Sequence, residues 1–324
     1  MLTRYRSEIS VGVALLLLCA VLAVRAPAYF HGDNLVDILM SSLPVLVIGI
    51  GMTLVMLVGE IDISVASVFA IAGVLAGSLA TWQVPLIIAF VSAPLAGALL
   101  GAFNGMLVAR FRIPSIVATL ATMVALRDAL RWVTQGAWVQ NLPPGFQWLG
   151  LPQGAYPAAA AAVVLALVGM SVLALAYLAA GRQVFATGSN PEAARLAGID
   201  VPRLKFWLFV LAGGLTGTAA LLNAVRFNQI PGNAGLGLEM KVIAAVLVGG
   251  TSVTGGRGSI AGTVLGVVLL GAIGPALTFL GASPYWERAI QGAIILTAVA
   301  FDARRTHRAS VSHSVVARSQ RAAT

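Results

Sequence analysis

Apolar residues run along this chain almost without interruption and fall into ten stretches. They are roughly Ile9 to Val24, Ile38 to Val58, Val65 to Ala80, Val84 to Ala109, Ile113 to Leu126, Tyr156 to Ala180, Phe206 to Val225, Leu236 to Val253, Ile260 to Leu280 and Ile290 to Phe301. A helix needs about 20 residues to cross a bilayer, and several of these stretches are short or glycine-rich, so the pattern predicts eight to ten transmembrane helices, some interrupted. The fold class is an all-α polytopic membrane protein: residues 1–302 form one membrane domain, and residues 303–324 form a basic tail expected to be disordered and cytoplasmic. The first stretch, up to Ala26-Pro27-Ala28, mimics a cleavable signal peptide, but further spans follow at once and it reads as a retained first helix. The longest polar stretch inside the domain, about Arg127 to Ala155, reads as a loop. Its Trp132, Trp138 and Trp148, followed by Tyr156, and its Pro143-Pro144-Gly145 are the aromatic and turn chemistry of a membrane interface, here the outer one.

One polar segment breaks the pattern differently. Between Thr187 and Lys205 the chain reads Thr-Gly-Ser-Asn-Pro-Glu-Ala-Ala-Arg-Leu-Ala-Gly-Ile-Asp-Val-Pro-Arg-Leu-Lys. Ser189 or Asn190 can cap a helix, Pro191 suits its first position, Glu192 suits its positive end and Gly198 can close it in the left-handed conformation. A helix over about Pro191 to Ala197 is too short to span lipid and must be presented outside it. In a membrane protein without an energy-converting motif, such a knob is a lever for a separate engine.

Composition sharpens this picture. Hydrophobic residues make up 59% of the 324, charged residues 10%, and mean hydropathy is +0.94, against about 25% charged in globular proteins. Fourteen of the 20 Lys and Arg fall on the segments that are inner if the amino terminus is inside, which places both termini and the knob in the cytoplasm. The net charge of +9 is concentrated in the tail and at span ends, a pattern suited to lipid headgroups, not nucleic acid. Cys19 is the only cysteine, so no intramolecular disulfide forms, and it reads as a core thiol.

Three constellations carry polar chemistry. In Gly59-Glu60-Ile-Asp62-Ile-Ser64, a charge at mid-bilayer would cost about 2.5–3.5 kcal/mol, so these carboxylates need water, a partner or a helix end. Two readings stand: Asp62 or Ser64 caps the helix beginning near Val65, or the segment lines a pathway or its cytoplasmic gate. Gly249 to Gly262 loosely resembles a phosphate cradle but lacks the Lys-Ser/Thr ending of a nucleotide-binding loop. Its glycines read as a helix break and a close-packing surface, with Arg257 at the cytoplasmic edge. In Asn228 to Lys241, Glu239 and Lys241 either contact a hydroxylated solute or docking protein, or serve only as a helix-start acid and a snorkelling base. Asn104 either bonds a neighbouring helix or faces the pathway. Leu57-Val-Gly59 with Ala70-Ile-Ala-Gly73 is echoed by Leu247-Val-Gly249 with Ser259-Ile-Ala-Gly262, which, if a true repeat, marks two interrupted helices facing a shared pathway. His31, His307 and His313 have no metal-ligand spacing, and no nucleophile elbow is present, so an intramembrane enzyme is disfavoured.

Taken together, Thr53 to Val65, Asn104 to Val108, Ile113 to Leu120, Ala186 to Ile199, Gly237 to Ala245 and Val248 to Gly256 resemble the permease subunits of bacterial ABC importers in the ribose, xylose, rhamnose and autoinducer-2 group. That group lies within the larger family that includes branched-chain amino-acid permeases. The resemblance runs to about Asp302; the basic extension beyond has no counterpart. It implies an inner-membrane permease without enzymatic activity or cofactor of its own, moving a monosaccharide or sugar-like solute, rhamnose or autoinducer-2 by closest match. It also implies a second permease subunit, identical or not, a periplasmic sugar-binding protein, and a cytoplasmic ATPase that holds ATP and Mg. Ser189 to Ile199 becomes the coupling helix seated in that ATPase, with Ser189, Asn190, Glu192, Ala193, Arg195 and Gly198 as coupling positions. The rivals are a secondary transporter that uses Glu60 and Asp62 as an ion site, a scaffolding subunit without a pathway, and an amino-acid permease of the same family.

Overall fold

The computed structural model describes residues 6–297 and residue 300. The basic tail after Asp302 lies outside the described residues. Helices account for every one of the ten apolar stretches: α1 (Arg6–Arg25), α2 (Gly32–Leu57), α3 (Val65–Thr81), α4 (Leu86–Ala109), α5 (Ser115–Thr134), α6 (Tyr156–Tyr177), α9 (Val201–Ala224), α10 (Leu238–Val248), α11 (Ile260–Phe279) and α12 (286–297). Two further helices, α7 (Ala179–Ser189) and α8 (Pro191–Leu196), stand between α6 and α9. Six of the described helices, α1, α2, α4, α6, α9 and α11, are long and apolar enough to cross a membrane, and α3 is a shorter apolar helix of 17 residues. With 11 residues, α10 rises only about 16 Å, half of a hydrocarbon core.

Two expectations need correction. The polar stretch from Arg127 is not loop at its start, because α5 continues to Thr134 and ends only where Gln135 turns left-handed at φ 52°. Arg127, Asp128 and Arg131 are helix-compatible, and Asp128 and Arg131 pair one turn apart, so they end the apolar run without ending the helix. The sixth apolar stretch likewise runs past a helix boundary: Leu178 is extended, and α7 begins as a separate element after it.

Helix α2 is the axis of the fold. It is apolar on every side, and from Leu43 to Leu57 every residue is buried. The most apolar window of α2 is 72% buried, against 11% for α1 and α6, whose outward faces carry exposed Leu16, Leu17, Leu165 and Leu173 as a lipid-facing surface does. Against α2 lies α9, and against α9 lies α4; α4 and α9 approach each other as backbones: a Cβ added at Gly97 would sit 2.2 Å from the Gly213 oxygen, and one at Gly101 would sit 2.3 Å from the Phe209 oxygen. Small residues four apart let two helices close to this distance where no water drives them together.

The two expected helix interruptions are present and built alike. In α2 the Glu60 amide donates to the Val55 carbonyl (3.1 Å) across Gly59, whose φ is 79°. In α10 the Thr251 amide donates to the Val246 carbonyl (3.2 Å) across Gly250, whose φ is 90°. Both are glycine-closed helix ends with the same bond pattern. They correct the register of the sequence echo by one residue, since the left-handed position is Gly250 and Gly249 remains right-handed at φ −61°. The second half of the echo is not equivalent: Gly73 lies within α3, whereas Gly262 lies in the first turn of α11, where its amide donates to the capping Ser259.

Candidate functional site

The short helix forms as its residues dictate. The Asn190 side chain accepts from the amides of Glu192 and Ala193, both at 3.0 Å, and Pro191 occupies the first turn. The far end closes at Gly198, φ 84°, where the Ile199 amide donates to the Ala194 carbonyl (3.0 Å). Asp200 then caps α9 by accepting from the Arg203 amide at 3.0 Å. Ser189 is not the cap, because it ends α7 and its hydroxyl donates to the Phe185 carbonyl. Glu192, Ala193 and Arg195 are exposed and only Ala194 packs inward. Sequence reasoning passed over Leu196, which is 91% exposed beside these charges. A large apolar side chain on the tip of a polar projection suits a protein partner better than water.

At its root this projection is held to the membrane helices by close backbone contacts as well as by the buried side chain of Val184. The Gly256 amide donates to the Leu57 carbonyl at the end of α2 (2.9 Å), and Gly188, in the last turn of α7, fits over that bond. A Cβ on Gly188 would lie 1.8 Å from the Leu57 oxygen and 2.4 Å from the Gly256 nitrogen. Gly255, φ 86°, leaves similar room against Gly59. The glycine-rich loop thus does what its composition suggested: it breaks a helix and lets chains touch, and at Gly249 and Gly262 it also brings α10 and α11 into backbone contact. Beside this clasp Lys205, in the second turn of α9, forms an ion pair with Glu60, their side chains only 19% and 14% exposed.

Asp62, Ser64 and Asn104 come together, but not around an open space. The Asp62 carboxylate accepts from the Ser64 amide (2.9 Å) and hydroxyl (2.6 Å), and the Ser64 hydroxyl accepts from the Asn104 amide of α4 (2.7 Å). Ser115 and Thr119 of α5 accept from the amides of Ile61 and Ile63. All three residues are buried. The unwound segment after α2 is therefore satisfied by protein side chains, as backbone at membrane depth must be. Ser64 holds the capping position of α3 without a side-chain cap bond, and Asp62 bonds back to Ser64 instead.

A cavity of about 770 Å³ opens at the other end of α2. Its wall includes Asn34, Asp37 and Ser41 of α2, Asn223 of α9, Arg226, Lys241 of α10 and Glu287 and Gln291 of α12, with Phe69, Phe227 and Tyr285 among them. Of the expected pathway residues only Lys241 lies on this wall; Glu60, Asp62, Ser64, Asn104 and Glu239 do not. Glu239, in the first turn of α10, keeps one buried carboxylate oxygen without a hydrogen-bond partner among the described residues, as does Arg127 at one guanidinium nitrogen. The polar residues of α2 and α12 in the wall escaped sequence reasoning because each stands singly in an apolar run; the one available signal was that Asp37 and Glu287 are carboxylates next to spans.

The family described as the branched-chain amino acid transport system permease component matches residues 34–299. The chain belongs to this family. Among the permease's relatives is the ribose import permease protein RbsC of Escherichia coli K12, 34% identical over 302 residues that cover 90% of this chain and 92% of that protein. Another is the autoinducer 2 import system permease protein LsrC of Enterobacter sp. strain 638, 36% identical over 299 residues, 92% of this chain and 87% of that protein. RbsC of Haemophilus influenzae is 33% identical, covering 90% of this permease and 91% of that protein. No solved structure matches significantly.

Proposed function

We infer that this permease is the membrane subunit of an ATP-driven importer that carries a sugar or sugar-like solute inward across the bacterial inner membrane. The observation that carries the reading is the path from α8 to the cavity: a capped, exposed helix follows directly on α7, whose Gly188 touches the end of α2 backbone to backbone, and the opposite end of α2 walls a polar chamber. In this reading the basic residues set both termini and α8 in the cytoplasm, and the cavity faces the periplasm. A separate ATPase, holding ATP and Mg, receives α8 with Leu196, Glu192 and Arg195. A second permease subunit completes the pathway, and a sugar-binding protein delivers solute to the outer rim near Trp138 and Trp148.

ATP-driven closure of the ATPase displaces α8, and the clasp at Leu57, Gly188 and Gly256 passes that displacement to α2 and to the α10–α11 pair. The Glu60–Lys205 pair carries α9 with them. Alternating access then follows from the different affinity of the permease for the two ATPase states. The relatives named above are import permeases for ribose and autoinducer 2, which supports a sugar-like solute; rhamnose is in none of those names.

The test is charge reversal on α8. In vesicles holding the permease with its ATPase and binding protein, E192K with R195E should lower uptake at least tenfold while the ATPase still turns over. Unchanged uptake would overturn the coupling role. Uptake that persists without ATP and collapses with the proton gradient would instead select a secondary transporter.

A further inference from the structure

Within the cavity wall one cluster is built differently from its surroundings. Lys241 of α10 donates to Glu287 of α12 at 2.9 Å, and Gln291, one turn further along α12, donates to the same carboxylate oxygen at 3.1 Å. The two ion-pair side chains keep 26% and 24% exposure, toward the cavity they line. An ion pair in a mostly apolar bundle is a poor device for stability, since well-packed hydrophobic residues of similar volume often serve as well or better. What this pair offers is unused valence. The bonds described occupy one of the three ammonium protons of Lys241 and a single oxygen of Glu287. The other oxygen, Oε2, points to Gly274 of α11, where an added Cβ would lie 2.5 Å away. The missing side chain at Gly274 is what leaves that oxygen room.

We propose that Lys241, Glu287 and Gln291 form the solute-recognition subsite of the permease, and that it takes the vicinal hydroxyls of a neutral, polyhydroxylated solute. The proposal rests on the import reading above and gives it a substrate chemistry. Adjacent hydroxyls each donate and accept, so a pair of them meets a carboxylate oxygen and an ammonium proton set side by side. Lys241 and Glu287 cancel each other's charge, so the pair itself favours neither anion nor cation, and a zwitterion must compete with a bond the two residues already make to each other. The neighbouring Asn34, Ser41 and Asn223 add neutral hydrogen-bonding groups to a wall that also carries Asp37, Arg226 and Arg288.

The experiment measures initial uptake of ribose and of leucine into vesicles holding the complete transporter, together with basal ATPase activity. E287Q should lower ribose uptake at least tenfold at subsaturating solute and much less at saturating solute. G274A should do the same more weakly by crowding Oε2. The exchange K241E with E287K keeps a bridge between α10 and α12 but inverts donor and acceptor beside Gln291, so uptake should stay low although the complex assembles. Recovery of uptake in the exchanged protein would show a structural strut and overturn the subsite. If the wild type takes up leucine in preference to ribose, the neutral-solute assignment falls while the importer stands. ATP-independent uptake would overturn the import reading itself.

Discussion

The two ends of α2 are made of different material. At the end that meets α7, the closest contacts are backbone to backbone: the Leu57 carbonyl, the Gly256 amide and the Cα of Gly188 are packed so closely that no Cβ fits at Gly188. At the other end the surfaces that face one another are side chains around a cavity of about 770 Å³. Backbone contacts have no rotamers, so a push at one is passed on undiminished, whereas side chains can rearrange around a ligand and release it. A transporter needs both properties, and this chain separates them along one buried helix.

The strongest way to break this comparison is to add a methyl group at the clasp. G188A places a carbon against two backbone atoms that cannot move independently, so it should destabilise the protein by about 2–3 kcal/mol or more, toward the upper part of the range for overpacking. Thermal unfolding of the purified protein checks this. A near-neutral result would mean that the clasp is loose and cannot transmit force. The next effect belongs to Glu60 and Lys205. Each is mostly buried, and removing one leaves the other unsatisfied, so E60Q or K205M should cost about 1–3 kcal/mol. The exchange E60K with K205E should recover most of that loss. Solute imported per ATP hydrolysed is the sharper readout, because a transmitting pair must restore this ratio and a merely stabilising pair restores only the melting temperature.

Much of this was legible in the chain because membrane burial leaves coarse marks. The ten apolar stretches are helical because lipid allows little else, and α8 was readable from Asn190, Pro191 and Gly198 because caps act within a few residues. What could not be read were distances across the fold. Gly188 looks like any loop glycine until Leu57 and Gly256 are brought to it, and Lys205 looks like a span-end base until Glu60 faces it, 145 residues away in sequence. The same limit applies to the unwound segment after α2. Asp62, Ser64 and Asn104 are polar residues in apolar surroundings, which marks them as needing partners but does not say whether the partner is solute or protein; the fold makes them partners of one another.

The smallest effect tests the projection itself. Asn190 satisfies two amides of α8, and a six-residue helix has too few internal bonds to hold its shape without them. N190A should therefore cost about 1 kcal/mol locally and leave the melting temperature of the buried bundle within a degree or two, because nothing behind Asn190 is core. Hydrogen exchange should show the change as faster exchange at Glu192 and Ala193 with the α2 and α9 amides unaltered. If α8 works as a rigid peg, this loosening lowers uptake severalfold while ATP hydrolysis continues. N190D, which keeps the acceptor oxygen and adds favourable charge at the helix start, should restore both. Equal uptake by N190A and the wild type would show that the partner, and not the cap, holds α8 in shape, and the rigid end of the molecule would then begin at Gly188 instead of at Asn190.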